Sequence, residues 1–205
     1  MGKSQKTAFA LAAAGLLVIL ALLVADIMRR EATNPAAAPT RPDIGGAFKL
    51  VDMNGQNVTQ AQYAGKNLLI YFGFTYCPDV CPMALLHMGG ALDILAESAP
   101  QKAAQIQPLF ITVDPQRDTP EALADYMQNF HPRLIGLTGS AAQIRDVLAV
   151  YRVYASKVTD DGASDYLMDH SSIIYLMDGE NRYLAHFDHN LPPQELAAKV
   201  QSKLP

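Results

Sequence analysis

Two cysteines in 205 residues leave most of the sulfur chemistry of proteins out of reach. A disulfide scaffold needs several bridges, a structural zinc site wants four nitrogen or sulfur ligands, and an iron–sulfur cluster usually takes four cysteines. Cys77 and Cys81 alone supply none of these. As a structural staple they would do little, because a bridge closing so short a loop constrains little chain entropy, and about 160 residues suffice to bury a core unaided. The chain also lacks a basic run. Beyond residue 43 it carries 11 basic and 17 acidic side chains, a net of −6, which gives no electrostatic footing for nucleic acid. Internal repeats are absent too. One compact domain with an accessory segment is the organisation that remains.

What is present begins with an uncharged stretch, TAFALAAAGLLVILALLVA, over residues 7–25. At helical rise its length reaches roughly the 30 Å of a bilayer core. A cleaved signal peptide would have a shorter apolar region and a prompt small-x-small site, so the stretch reads as an uncleaved transmembrane anchor. Lys3 and Lys6 on one side balance Arg29 and Arg30 on the other, and the charge rule leaves orientation open. Ala- and Pro-rich REATNPAAAPTRPD then reads as a tether. The expected division is a stub and anchor over 1–28, a tether over 29–43 and a folded domain over 44–205.

Within that domain, FKLV and NV flank Asn54-Gly55, a hairpin signal. NLLIYFGF (67–74) is a continuous apolar run suited to a buried central strand. A helix is expected from Pro82 to about residue 96, a buried strand over 107–113, and a helix over 118–130 opening with an Asp118/Thr119 cap. LIGLTG (134–139) predicts a third central strand and 140–150 a helix. Strands 171–177 and 182–187 around Asp178-Gly179 form a second hairpin, and a last helix starts at Pro192 and Pro193. This alternation gives an α/β fold, a thioredoxin-like sandwich with a mixed central sheet.

The two cysteines stand in TYCPDVCP, directly after the first buried strand and before a helix. Unpaired N–H groups at a helix N-terminus stabilise thiolate, which is both a nucleophile and a metal ligand. Pro78, Pro82 and Asp79 keep the loop stiff and polar, unlike a site for inert buried thiols. Two soft thiolates suit Cu(I), which needs only one further donor at low coordination. Five histidines compete for that place. His131 reads as a cap at a helix end, His87 as a solvated helix residue, and His186 and His189 as surface residues after the second hairpin. His170 precedes an apolar strand, and its position alone does not single it out.

FGFTYCPDVCP (72–82), VDPQRDTP (113–120) and DHSS (169–172) resemble, in order and spacing, the three signatures of the Sco/SenC family of copper proteins. The resemblance covers about 48–199, and the anchor and tether are similar as well. It implies a thioredoxin-like domain in which Cys77, Cys81 and His170 bind one copper ion, Cu(I) preferred and Cu(II) possible. It further implies a single-pass protein of the bacterial inner membrane with its domain in the periplasm. An upstream copper donor would load it, and it would deliver copper to the dinuclear centre of cytochrome c oxidase. The alternative is a thiol–disulfide oxidoreductase acting through Cys77 and Cys81 on the oxidase's own cysteines, although the spacing differs from C-x-x-C. Around the site, Asp169 is a candidate to orient the imidazole, Met168 reads as core filler, Asp114 and Arg117 as an ion pair that fixes a loop, and Asp118 as a helix cap. Asp79 either faces a partner or holds the turn.

Overall fold

Residue 2 and residues 16–26, 43–159 and 165–204 are described in the computed structural model of the chain. They fall into two units, Met1–Arg41 and Pro42–Pro205. In the first, Leu16–Asp26 forms an exposed apolar helix, α1. The first part of the expected anchor, most of the tether and the stub lie outside the described residues.

The second unit is built on a seven-stranded sheet. In chain order its strands are β1 (Lys49–Asp52), β2 (Asn57–Thr59), β3 (Asn67–Gly73), β4 (Ile106–Thr112), β5 (Ile135–Thr138), β8 (Ile173–Met177) and β9 (Tyr183–Asp188). Their spatial order is β2-β1-β5-β4-β3-β8-β9. β3, β4 and β5 run parallel, and β1 and β8 pair antiparallel at either side of that trio. The sheet is therefore mixed, as expected. Every residue of β3 is buried, which is what a continuous apolar run requires of a central strand covered on both faces.

Among the described residues five α-helices accompany the sheet: α2 (Val80–Ser98), α3 (Pro100–Gln105), α4 (Pro120–Met127), α5 (Ala141–Tyr151) and α6 (Pro193–Lys203). Side chains alternate across a strand, so Tyr71 and Phe72 report opposite faces. Phe72 meets Tyr151 of α5 and Tyr175 of β8. Tyr71 stacks with Phe110, which meets Tyr126 of α4. The start of α2 lies on this second face, with Cys81 against Gly73. α6 packs beside α2, with Pro193 close over Gly90. α2 is long and apolar enough to be mistaken for a membrane span. Eight of its residues, from Cys81 to Leu95, are buried in the core, and that burial explains the composition.

Both predicted hairpins form. Gly55 turns between β1 and β2 at φ +76, a left-handed conformation that glycine adopts without strain, and Asp52 Oδ1 accepts from the backbone N–H of Asn54 and Gln56. Between β8 and β9, Asp178 Oδ1 accepts from the N–H groups of Glu180 and Arg182.

Four local expectations need correction. α2 begins at Val80 with Asp79 in the capping position, two residues before Pro82. The cap of α4 is Thr119, whose hydroxyl accepts from the N–H of Ala122; Asp118 is turned inward. The short helix α3 was not expected. The fourth concerns a two-stranded antiparallel ribbon, β6 (Ala155–Val158) and β7 (Leu167–His170), outside the main sheet. His170 thus ends a strand of its own, and Ser171 and Ser172 separate it from β8 rather than opening that strand.

Candidate metal centre

The loop from Phe74 to Asp79 joins the end of β3 to α2. Its first turn closes where Cys77 N–H donates to the Phe74 carbonyl at 3.3 Å. Buried Asp118 grips it from below: one carboxylate oxygen accepts from Thr75 Oγ1 at 2.6 Å, and the other from Thr75 N–H at 3.0 Å and Thr112 Oγ1 at 2.6 Å. Burial raises the Asp118 pKa despite these three donors.

Cys81 is the second residue of α2, where a backbone N–H has no partner within the helix. That N–H donates to Cys77 Sγ at 3.4 Å. The two thiols are free and unequal: Cys81 is fully buried, Cys77 only partly. A hydrogen bond from Cys81, with help from the Cys81 and Asp79 backbone amides, brings the pKa of Cys77 down to about 5. The same pairing, together with burial, pushes Cys81 strongly upward. In the metal-free protein these shifts favour the thiolate at Cys77 and the proton on Cys81.

The ring of His170 is half-buried and reaches Cys81, with Nε2 at 3.7 Å from Sγ. Its Nδ1 lies 3.2 Å from the Ser171 carbonyl. A carbonyl only accepts, so Nδ1 carries the proton and Nε2 turns a lone pair toward the sulfur. Burial lowers the His170 pKa and favours this neutral, ligating form. Tyr71 and Phe74 present ring contacts at 6.2 and 5.9 Å that fix the imidazole plane. Asp169 is exposed, on the opposite face of β7 from His170, and the Ser171 carbonyl fills the orienting role considered for it. Met168 packs against the core, as core filler should.

The structure therefore brings Cys81 and His170 together across 89 positions of sequence, with Cys77 at the same helix start. Among the described residues, no three side chains already stand around one ready-made metal position. The remaining histidines are elsewhere or face other groups. His131 accepts from the Arg133 N–H and sits 3.4 Å from Asp93. His186 is exposed and bonds Tyr183 Oη. His87 is half-buried rather than fully solvated, with Nδ1 3.4 Å from the His189 carbonyl, and His189 Nδ1 lies 3.1 Å from the Ser172 carbonyl.

Arg117 does more than the loop-fixing pair expected of it. Its Nε donates to Asp114 and its Nη1 to the Tyr166 carbonyl at 2.8 Å, while its guanidinium lies 3.8 Å over the Tyr166 ring and 4.8 Å over that of Tyr76. Tyr166 Oη in turn donates to Asp114 at 2.9 Å. One cation thus ties together the cysteine loop, the VDPQRD segment and the ribbon that ends in His170.

The family model described as SCO1/SenC matches residues 36–204. The chain belongs to the SCO1/SenC family. It is 42 % identical over 178 residues to Protein sco1 of Schizosaccharomyces pombe, covering 86 % of this chain and 66 % of that one. The SCO2-like protein RC0895 of Rickettsia conorii is 45 % identical over 154 residues, 75 % of this chain and 73 % of its own. Among solved structures, Bradyrhizobium japonicum ScoI with copper bound superposes with a TM-score of 0.70 at 43 % identity, covering 78 % of this chain and 99 % of that one. The SCO1/SenC fold here is the thioredoxin-like α/β arrangement expected from the sequence. In the sequence Gly73 and Tyr71 look like ordinary members of a buried strand. The one signal available was a glycine inside a strand pattern, which marks close approach of another group. Here that group is Cys81 Sγ.

Proposed function

We propose that this protein carries one copper ion as cargo, held by Cys77, Cys81 and His170, and passes it to the dinuclear copper centre of cytochrome c oxidase. The observation that carries the reading is the neutral imidazole nitrogen 3.7 Å from a buried sulfur, beside a second sulfur already poised as thiolate. Two thiolates and one imidazole match the soft-donor preference of Cu(I) at low coordination, and the mixed set also accommodates Cu(II). The half-buried Cys77 sulfur is held at the same helix start by the Cys81 N–H. The copper-bound Bradyrhizobium relative supports the same cargo. The apolar stretch over 7–25 would hold the chain in the bacterial inner membrane with the domain in the periplasm, where an upstream donor loads it.

Anaerobic Cu(I) titration of the reduced protein against a chromophoric competitor tests this. One ion per chain is expected. Cys81→Ser and His170→Ala should each weaken binding by more than about a hundredfold, since even outer partners of metal ligands are worth 10- to 100-fold. A His170→Ala protein that binds as tightly as the parent overturns the three-ligand site.

A second reading rests on the inequality of the thiols. A partly exposed thiolate beside a buried thiol is the arrangement of a dithiol reductant: Cys77 attacks a partner's disulfide, one partner thiolate leaves, and Cys81 releases the second as Cys77 and Cys81 become a disulfide. Disulfide reduction that persists undiminished in His170→Ala would favour it.

A further inference from the structure

Tyr71 sits in the middle of β3, fully buried, with its ring edge against His170. Residues 71 and 73 share a face of the strand, and the missing side chain of Gly73 leaves a small volume that two groups border. A Cβ there would lie 2.8 Å from Cys81 Sγ and 3.0 Å from Tyr71 Cε1, the ring carbon next to the one bearing the hydroxyl. Among the described residues, Tyr71 Oη is one of three buried side-chain polar atoms without a hydrogen-bond partner. The polar side chains nearest to it are Cys81 and Ser172, both close to hydrogen-bonding reach though neither meets the geometry of a hydrogen bond, with Cys77 beyond. A buried hydroxyl left unpaired is costly and calls for a reason.

We infer that Tyr71 is a positioning residue for the metal centre, whose hydroxyl donates a hydrogen bond to the Cys81 sulfur once copper has replaced the proton on it. The inference rests on the copper reading above. While Cys81 is a thiol its sulfur is a weak acceptor, and the hydroxyl gains little from it. Copper binding releases that proton to solvent and leaves a thiolate in an apolar pocket, where a charge-assisted hydrogen bond is strong. The hydroxyl is already buried on a strand that borders the sulfur's pocket before the charge arrives. The bond also favours the more electron-rich sulfur of the Cu(I) state over that of Cu(II).

The test is Tyr71→Phe in the full chain, with Tyr151→Phe as control. Tyr151 is also fully buried, but on the other face of the sheet, with Oη bonded to Asn181 Oδ1 at 2.7 Å. In Tyr71→Phe, Cu(I) affinity should fall by about tenfold, the scale of a hydrogen bond to a charged group. The midpoint potential of bound copper should drop, and the thiolate-to-Cu(II) charge-transfer band should move to longer wavelength. Thermal stability of the metal-free protein should be unchanged or raised. Tyr151→Phe should lower thermal stability and leave band and potential alone. A folded Tyr71→Phe protein with the parent's band, potential and affinity overturns the inference while leaving the copper reading intact. A parent that binds no copper removes both.

Discussion

Cys77 and Cys81 are chemically identical residues four positions apart, one in a loop and one in the first turn of α2, and the fold shifts their proton affinities in opposite directions. The cause is local. One sulfur receives the N–H of Cys81 and neighbouring donors, while the other is seated against Gly73 where no water reaches. With its pKa at about 5, Cys77 is protonated below that pH and thiolate above it. Alkylation of the reduced, metal-free protein should therefore accelerate through an inflection near pH 5, with Cys77 modified and Cys81 untouched to beyond neutrality by peptide mass mapping. An inflection near the ordinary thiol range would remove the asymmetry. Gly73→Ala would put a methyl group into contact with Sγ and the Phe110 ring, both at 2.8 Å. Overpacking of this kind costs about 1–3 kcal/mol, measurable as a lower urea midpoint, and should weaken copper binding as Cys81 is displaced. The cysteine pair was legible in TYCPDVCP. Their inequality was not, because it depends on a helix that starts at Val80 and on a glycine that only the tertiary structure places beneath Cys81.

At the scale of elements, the ribbon of β6 and β7 is the part of the fold that the sequence concealed. Each strand has four residues, much of their surface is exposed, and they pair with each other alone. Neither offers the apolar run that disclosed β3, β4 and β8. The histidine it carries was legible only through the DHSS resemblance. Arg117 holds this ribbon to the rest, and Asp114, only 1 % exposed, depends on it for charge balance. Arg117→Met should cost on the order of 3 kcal/mol, as when one partner of a buried pair is removed. Amide exchange over Leu167–His170 should quicken and Cu(I) affinity should fall, even though no ligand has changed. Unaltered exchange in the ribbon would show that the clamp is dispensable. Asp118 was misread as a cap for a related reason: D-T at a helix start fits either residue, and only burial shows that the carboxylate faces inward to hold Thr75.

For the whole molecule, the order of strands and helices was legible because each central strand is a dense apolar run and each helix from α4 onward carries its own start signal. Thr119 with Pro120 and Pro192 with Pro193 mark two of those starts in the sequence, and the structure adds a Ser140–Gln143 capping box at the third. Which strands pair parallel, and that β1 closes onto β5, are properties of packing that no short window contains. The separation of Pro42–Pro205 as a unit of its own predicts that a chain beginning at residue 42 unfolds in one cooperative step and binds Cu(I) with the parent's affinity. It should remain in the supernatant when the full chain sediments with membranes. Sedimentation of both would place the membrane attachment in the folded part.

The buried Cys81 sulfur hangs from the start of α2 and the half-buried Cys77 sulfur from the loop before it, both against the central strand's end, whereas the imidazole rides on a small ribbon beside the sheet. The groups proposed to hold an ion are thus carried on elements of different depth and support. If copper is held by the proposed trio, lifting the ribbon would detach nitrogen while leaving both sulfurs in place, and the vacated position would be where a receiving protein begins its claim on the ion.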